Sequence, residues 1–454
     1  MRVLLGVHAF LPRSTAGVEV YTYRLAQALL ERGHEVLVLA ATHDLSRRHG
    51  ETLQDRVGHV AVARVVNLHR AGTLRATYAD PQIDAAVNGV FRRFGPDVLH
   101  LQHLLNLSTG LLWEAARVGV PVLLTLHDYW LSCPRDGLRM QASGEICHTV
   151  DHDICAHCMA ESPYLVPKAQ RVVVERMRSL GLGRMLHSIH DAFPRFVERV
   201  LRGLRAAQPI SRGGLAIALD ARAEHIQSAL ERIDLVIAPT RFIAERAAEV
   251  GVRADRLRVL PHGAVVESAR VSVTAPRRRI AYVGTLAPHK GIHILIEAFL
   301  QLSGSELSLD IYGDPSIRPE YSEDLVRSAA GDSRIRFRGG FPEGDQVDVL
   351  SGIDVLVVPS LWWENSPLTI LEARAAGVAV VASQIGGIPE LLDGVEAARL
   401  VPPGDALKLR EALRELVEDK TARHTSQRPK TVSEGAVELE RLYASVLGAR
   451  ERPS

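Results

Sequence analysis

Residues 280–302, "IAYVGTLAPHKGIHILIEAFLQL", decide how the rest of the chain is read. An apolar run of strand length, Ile280 to Val283, is closed by Gly284. A loop carrying Lys290 and Gly291 follows, then a mostly apolar stretch of helical length. Strand, glycine-bearing loop and helix in succession make the repeating unit of a parallel α/β sheet. The same alternation continues downstream in "LSLDIYGD" (307–314), "RIRFRGG" (334–340), "IDVLVVPS" (353–360), "VAVVASQIGG" (378–387) and "ARLVPPGD" (398–405). Upstream it occurs in "RVLLGVHAF" (2–10), "HEVLVLAA" (34–41), "PDVLHLQH" (96–103), "VPVLLTLHDYW" (120–130), "IDLVIAPT" (233–240) and "RLRVLPHG" (256–263). Most of these strands are apolar throughout, the pattern of a sheet covered by helices on both faces.

A Ser/Thr/Pro/Arg-rich stretch, "SARVSVTAPRRR" (268–279), reads as a linker. The expected architecture is two doubly wound, Rossmann-like parallel-sheet domains, 1–267 and 280–425. A polar stretch, 421–433, leads into a C-terminal helix within 426–454 that has the option of returning to the first domain. The length, 454 residues, exceeds one ordinary core. Composition is globular, with 46% apolar and 24% charged residues. With 54 Lys and Arg against 53 Asp and Glu, the formal charge of +1 points to neither nucleic acid nor an acidic partner. No apolar run has the length of a membrane span and "MRVLLGVHAF" lacks a signal peptide's long apolar core, so a cytoplasmic protein is expected.

Segment 160–230 interrupts the first half. It is helical in pattern and rich in arginine, including Arg171, Arg176, Arg178, Arg184, Arg195, Arg199, Arg202 and Arg205. Two readings stand side by side. One is a surface for anionic lipid or a lipid-linked acceptor at the inner face of a membrane; the other is a solvated helical excursion covering the domain edge.

Polar and glycine-rich positions collect at strand ends: His127-Asp128, Thr285 to Gly291, Gly313-Asp314, Glu364, and Gly386-Gly387. Ligands of open parallel sheets bind outside the carboxyl ends of the strands, so a site in a cleft between the domains is expected. In "VPSLWWENSPLTILEARAAG" (358–377), Ser366 reads as an N-cap and Pro367 as the first helical residue. Glu364 then lies before the helix and Glu372 in its second turn. The free N–H groups at this helix start suit a diphosphate, with one carboxylate toward a sugar and the other toward a ribose. Lys290 is placed to reach the same phosphates. Neither G-x-x-x-x-G-K-[ST] nor a strand-linked G-x-G-x-x-G occurs, which argues against P-loop and dinucleotide sites. Taken alone, Glu372 reads as an exposed helix residue, and Trp362 and Trp363 as packing residues.

The ordered set "AGVEVYTYRLAQALLERGHEV" (16–36), "VGTLAPHKG" (283–291), Glu364-x7-Glu372 and "GGIPE" (386–390) resembles the family-4 retaining glycosyltransferases of the GT-B fold. The resemblance covers nearly the whole chain apart from 160–230. It implies two Rossmann-like domains facing across a cleft and transfer of a sugar from a nucleotide-diphosphate sugar to a glycan, lipid-linked or small-molecule acceptor. It also implies catalytic roles for His127, Glu364 and Lys290, and no metal requirement for transfer. Donor contacts carried over by the resemblance are Gly17, Gly284, Thr285, Lys290, Glu364, Asn365, Ser366, Pro367, Leu368, Glu372 and Gly387. Many relatives have arginine where this chain has Thr285, and a double glycine where it has Ala16-Gly17. The alternatives are a nucleotide-sugar epimerase or glycan phosphorylase on the same architecture, and a non-catalytic nucleotide-sugar- or metal-binding module.

All four cysteines fall within 26 residues: Cys133, Cys147, Cys155 and Cys158. The closing C-x2-C pair suggests a four-thiolate knot holding structural zinc, with an iron–sulfur cluster, reduced thiols and disulfides as the other readings. "HDYWLSCP" followed by further cysteines resembles a subset of family-4-like transferases.

Overall fold

The computed structural model describes residues 1–68, 73–135, 137–160, 182, 212–265, 278–329, 331–418 and 428–451. Most of the expected insertion 160–230, most of the linker 268–279 and part of the polar stretch 421–433 lie outside these residues.

The chain divides into two compact units. Unit 1 comprises Met1–Ala238, Arg246–Arg258 and Leu439–Ser454; unit 2 comprises Pro239–Glu245 and Val259–Glu438. The division therefore differs from a single boundary at 267. The segment Pro239–Glu245 goes with unit 2 because the Glu390 carboxylate accepts the N–H groups of Arg241 (2.8 Å) and Phe242 (2.7 Å). Ala264 pairs with Thr431 in an isolated parallel bridge, which ties the chain beyond Val259 to the same unit.

Strands β1 (Arg2–Val7), β2 (Glu35–Thr42), β3 (Thr52–Val57), β4 (Val60–Val66), β5 (Val98–Leu101), β6 (Val122–Thr125), β7 (Leu235–Ala238) and β8 (Leu257–Val259) form the sheet of unit 1, in the order β3-β4-β2-β1-β5-β6-β7-β8. The β3–β4 hairpin is antiparallel, while β4, β2, β1, β5, β6 and β7 run parallel. Unit 2 contains β9 (Arg279–Val283), β10 (Ser308–Tyr312), β11 (Ile335–Gly339), β12 (Val355–Val358), β13 (Ala379–Ser383) and β14 (Ala398–Val401), ordered β11-β10-β9-β12-β13-β14 and wholly parallel.

Both sheets run outward in one direction from a central strand and then in the other. The strand order reverses between β1 and β5 in unit 1, and between β9 and β12 in unit 2. Such a reversal splays the loops at the carboxyl ends apart and leaves a crevice there.

The helices are α1 (Gly17–Glu31), α2 (Pro81–Phe94), α3 (Gly110–Val118), α4 (His152–Ala160), α5 (Arg212–Leu230), α6 (Arg241–Glu249), α7 (Ile292–Leu300), α8 (Pro319–Ser328), α9 (Gln346–Ser351), α10 (Leu368–Ala376), α11 (Ile388–Leu392), α12 (Ala406–Glu418) and α13 (Val432–Glu451). Local chemistry sets several of their ends. In α2 the Asp80 side chain accepts the Gln82 and Ile83 N–H groups, Pro81 starts the helix, and Gly95 ends it at φ 58°. The core of unit 2 is the apolar strand interior packed against α7 and α12, including Leu309, Val355, Ile296, Phe299 and Leu413. Among the described residues, no helix is long and apolar enough to cross a membrane.

The end of α13 belongs to unit 1. Tyr443 is fully buried there and its hydroxyl bonds to His100 Nδ1 at 2.7 Å, while Thr125 Oγ1 meets His100 Nε2 at 2.8 Å. Glu440 is held by Arg32 and His34, each at 2.6 Å. Burial pushes the His100 pKa down to about 3, so the folded ring stays neutral in a range where the unfolded one, near 6.5, takes up a proton. Stability from this group is therefore present above pH 6.5 and lost as the pH falls toward 3.

Tyr443→Ala should destabilise unit 1 by about 3–5 kcal/mol and Tyr443→Phe by about 1 kcal/mol in urea unfolding. The unfolding midpoint should also drop between about pH 6.5 and 4, with a shallower slope in His100→Asn. Equal midpoints for wild type and Tyr443→Ala would contradict this account of α13.

Candidate functional site

In unit 2 the strand reversal brings together the loops after β9 and β12. Lys290 comes from the first and Glu364 from the second, and Lys290 Nζ lies 2.7 Å from Glu364 Oε1. The same oxygen accepts from Ser360 Oγ (2.6 Å) and from Trp362 Nε1 (2.8 Å). Lys290 also sits 4.8 Å from the Trp362 ring centroid, a second source of attraction for its charge. Glu364 is only 6% exposed. Burial alone would raise its pKa, but the Lys290 charge and the three donors outweigh it and hold the carboxyl below its ordinary range. The site thus keeps a buried carboxylate ionised at neutral pH.

Two glycine contacts fix this geometry. A Cβ on Gly291, at φ 72°, would stand 1.9 Å from the Pro359 carbonyl oxygen, so the β9 loop can touch the β12 loop only through glycine. Gly386, at φ 61°, brings its backbone against Glu364, where a Cβ would lie 2.1 Å from the Glu364 oxygen. Next to it, the Gly387 N–H bonds to the Glu364 carbonyl at 2.7 Å. Asn365 is held from the other side, its Oδ1 accepting from Thr240 Oγ1 at 3.0 Å.

The start of α10 differs from the expected cap by one residue. Pro367 takes the N-cap position with ψ 116° and Leu368 is the first helical residue. The chain arrives from a segment pinned at Glu364 and Asn365, and this keeps Pro367 extended before the helix can begin. No side chain caps α10, the Ile370 N–H bonds back to the Pro367 carbonyl (3.1 Å), and the buried Ser366 hydroxyl has no partner. An uncapped helix start with an unsatisfied buried hydroxyl beside it is a ready anion site. Glu372, in the second turn of α10, is 7% exposed rather than solvent-facing.

The remaining expected residues are more dispersed. Gly284 closes β9 with its N–H on the Tyr312 carbonyl (3.1 Å), and the Tyr282 hydroxyl donates to the Thr285 carbonyl (2.8 Å). Trp363 packs edge-on against Phe242, while Trp362 is a polar participant through its indole N–H. Gly17 begins α1 in unit 1, with nothing within 4 Å of where a Cβ would stand. His127 also belongs to unit 1, where its Nε2 lies 2.9 Å from Gln102 Oε1 and its ring 5.1 Å from that of Tyr21. Reasoning from the sequence missed Ser360 and Thr240. Both sit at strand ends, the one signal that would have pointed to them.

The expected thiolate knot is not assembled as a metal centre: among the described residues, no group of three or more His, Cys, Asp or Glu side chains is placed to hold a metal ion. All four cysteines are free. Burial and the neighbouring thiols raise Cys147 and push Cys155 up to about 12, and burial raises Cys133.

Residues 15–166 match the family model described as Glycosyltransferase Family 4, and residues 277–419 match that described as Glycosyl transferases group 1. The chain is 34% identical over 151 residues to a D-inositol 3-phosphate glycosyltransferase of Corynebacterium efficiens, covering 32% of this chain and 35% of that one. It is 26% identical over 216 residues to a lipopolysaccharide 1,2-N-acetylglucosaminetransferase of Salmonella typhimurium, covering 43% and 56% respectively. The chain thus spans about a third to a half of the length of these curated relatives. Similar solved structures include sucrose-phosphate synthase from Thermosynechococcus elongatus (TM-score 0.64, 18% identity, 99% of each chain). Another is the Anabaena protein HepE in complex with UDP and glucose (TM-score 0.61, 17% identity, 98% of this chain and all of that one). At these identities the likeness concerns the fold, which is GT-B.

Gly386→Ala should lower the melting temperature and displace Glu364, because the new methyl meets backbone on both counts of space and φ. Gly17→Ala, with open space around it, should leave stability within about 0.5 kcal/mol. Thermal unfolding of the two variants beside wild type checks the contrast, and an unchanged Gly386→Ala would refute the pinned geometry.

Proposed function

We propose that this GT-B chain, with one stretch matching each of two glycosyltransferase models, transfers a sugar from a nucleotide-diphosphate donor to a hydroxyl acceptor with retention of anomeric configuration. The observation that carries the reading is the pairing of Lys290 with Glu364 beside the uncapped start of α10 and its unpartnered Ser366 hydroxyl. A diphosphate has only acceptors to offer. The Ser366 hydroxyl and the N–H groups of Leu368 and Thr369 are donors, and Lys290 supplies a positive charge.

On this reading the donor occupies unit 2. Glu364 accepts hydroxyl groups of the donor sugar and Glu372 those of the ribose, with Gly284, Thr285, Asn365, Pro367 and Gly387 shaping the backbone around the diphosphate. Lys290 then serves two anions, holding Glu364 ionised and drawing off charge as the sugar–phosphate bond lengthens. The helix start does the same through its dipole, and it is already oriented before the reaction begins. Preorganised donors stabilise the leaving diphosphate without a metal ion. Retention is assigned to attack from the face that the diphosphate leaves, with a diphosphate oxygen taking the acceptor proton. His127 and Gly17 belong to unit 1; the family-4 resemblance gives His127 a role toward the donor sugar and Gly17 one toward the phosphate. A lipid-linked or glycan acceptor and peripheral membrane contact through the basic insertion complete the proposal. Residues 161–181 and 183–211, which would make that contact, lie outside the described residues.

A panel of nucleotide sugars, assayed for nucleoside diphosphate release, tests the reading. One donor should turn over slowly with water as acceptor. Lys290→Ala should reduce kcat/KM by about 10²–10³-fold, in line with loss of one preorganised group at a developing charge. Glu364→Gln should act mainly on turnover of the sugar while UDP or GDP binding persists. Wild-type rates in Lys290→Ala would overturn the assignment.

A further inference from the structure

The two tryptophans before Glu364 do different things. Trp363 is buried and packs edge-on against Phe242, an ordinary core contact. Trp362 is half-buried and turns its two chemically distinct parts to the two charged residues of the site. Its indole N–H donates to Glu364 Oε1 at 2.8 Å, and its ring centroid lies 4.8 Å from Lys290 Nζ. Backbone sets this arrangement. The Leu361 N–H bonds to the His289 carbonyl at 2.8 Å and Gly291 lies against the Pro359 carbonyl, so the loops after β9 and β12 are joined on either side of Lys290. The His289 ring meets that of Trp362 at 5.3 Å and 71°, an edge-on contact that holds the indole in orientation.

The Glu364 carboxylate is used unevenly. Lys290 Nζ (2.7 Å), Ser360 Oγ (2.6 Å) and Trp362 Nε1 (2.8 Å) all converge on Oε1. One carboxylate oxygen offers about two lone-pair sites, so three donors exceed what Oε1 can use at full strength. Two of the three are fixed: Ser360 is buried, and Trp362 is held by its contact with His289. Lys290 sits on a flexible four-carbon stem with 23% of its side chain exposed, which makes it the donor free to leave. Against burial, the carboxyl is kept ionised by the Lys290 charge and by the three donors. The Ser360 and Trp362 bonds persist when the ammonium departs.

An ammonium that leaves a buried carboxylate needs attraction elsewhere, or the separation is costly. The face of an indole is the strongest aromatic partner for a cation and acts within about 6 Å of the ring centroid. Lys290 is already inside that range. The uncapped start of α10 and the Ser366 hydroxyl follow Trp362 on the same stretch of chain. The other titratable group facing Glu364 is Tyr282 of β9. Burial and the Glu364 charge hold its pKa well above the ordinary value, so it stays neutral and does not compete for Lys290.

We propose that Trp362 is a positioning residue of the donor site: its indole N–H keeps Glu364 in place while its ring face lets the Lys290 ammonium exchange between Glu364 and the donor diphosphate. This deepens the donor reading above and rests on it. Lys290 remains an ammonium throughout, and Trp362 neither forms a bond to the substrate nor moves a proton. A diphosphate carries more negative charge than one carboxylate and so competes for Lys290. Glu364, with Oε1 kept by Ser360 and Trp362, offers Oε2 to the sugar hydroxyls. The two parts of the side chain are separable by substitution. Trp362→Phe keeps a ring face and loses the N–H, whereas Trp362→Leu loses both.

Calorimetry on the full chain with UDP, GDP, ADP, CDP and TDP identifies the diphosphate that binds. The same ligand is then titrated into Trp362→Phe, Trp362→Leu, Lys290→Ala and the Lys290→Ala/Trp362→Leu double variant. Trp362→Leu should weaken binding about fivefold or more and Trp362→Phe less than about twofold. The double variant should bind no more weakly than Lys290→Ala, because the ring acts through the ammonium. With the matching nucleotide sugar, Trp362→Phe should lose about tenfold in kcat with KM within about threefold. Its acidic limb should move to higher pH, since the ionised Glu364 has lost a donor. This kinetic arm decides the matter where Trp362→Leu fails to fold. Additive losses in the double variant, or wild-type kcat with an unmoved acidic limb in Trp362→Phe, overturn the proposal. A diphosphate bound equally by wild type and Trp362→Leu refutes this inference and leaves the donor reading standing; binding of none of the five by the wild type removes the donor reading and the inference with it.

Discussion

A buried lysine–glutamate pair is worth little unless both ends are held still, and here the holding is done by backbone. Gly291 lets the β9 loop lie against the Pro359 carbonyl, and Gly386 with Gly387 presses the loop after β13 against Glu364 and Asn365. With the chain clamped on both sides, Lys290, Ser360 and Trp362 converge on a single carboxylate oxygen. The cost of burying Glu364 is offset by that convergence, which also keeps the group charged. Pinning the loop has a further consequence. It forces Pro367 to remain extended, delays the helix to Leu368, and leaves Ser366 and the first N–H groups of α10 without a cap. The incomplete cap is therefore a product of the same constraint that fixes the carboxylate.

The two units solve one topological problem twice. Each reverses strand order next to its first strand, and each collects unsatisfied polar groups at that point. Their chemistries are opposite. The crevice in unit 2 offers donors and a cation, suited to a diphosphate. That in unit 1 carries two imidazole–carboxylate pairs, His8 with Glu19 and His103 with Asp128.

Much of unit 2 was legible before any coordinates. Apolar runs without alternation gave parallel strands, and Lys290 and Glu364 were placed by their position just beyond strand ends. Glu372 shows the boundary of such reasoning: its helix has no sequence feature that says which face is covered, and the structure buries it. The cysteines show it from the other side. Their spacing suits a metal knot, yet proximity in sequence does not orient thiols, and among the described residues no group of three or more ligating side chains is placed to hold a metal ion.

What the sequence determined by itself is whatever depends on neighbours along the chain: strand and helix periods, the Asp80–Pro81 start and Gly95 end of α2, and the glycines that must sit at positive φ. Glu19 is different. In the sequence it is an acidic residue in the first turn of α1, and nothing local says whether it is covered. Only the packing of α1 against the loop after β1 buries it completely and sets it against His8 and Ser14. Hydrogen-bond satisfaction is a property of groups far apart in sequence and close in space, so tertiary structure alone decides which polar atoms find a partner within the chain.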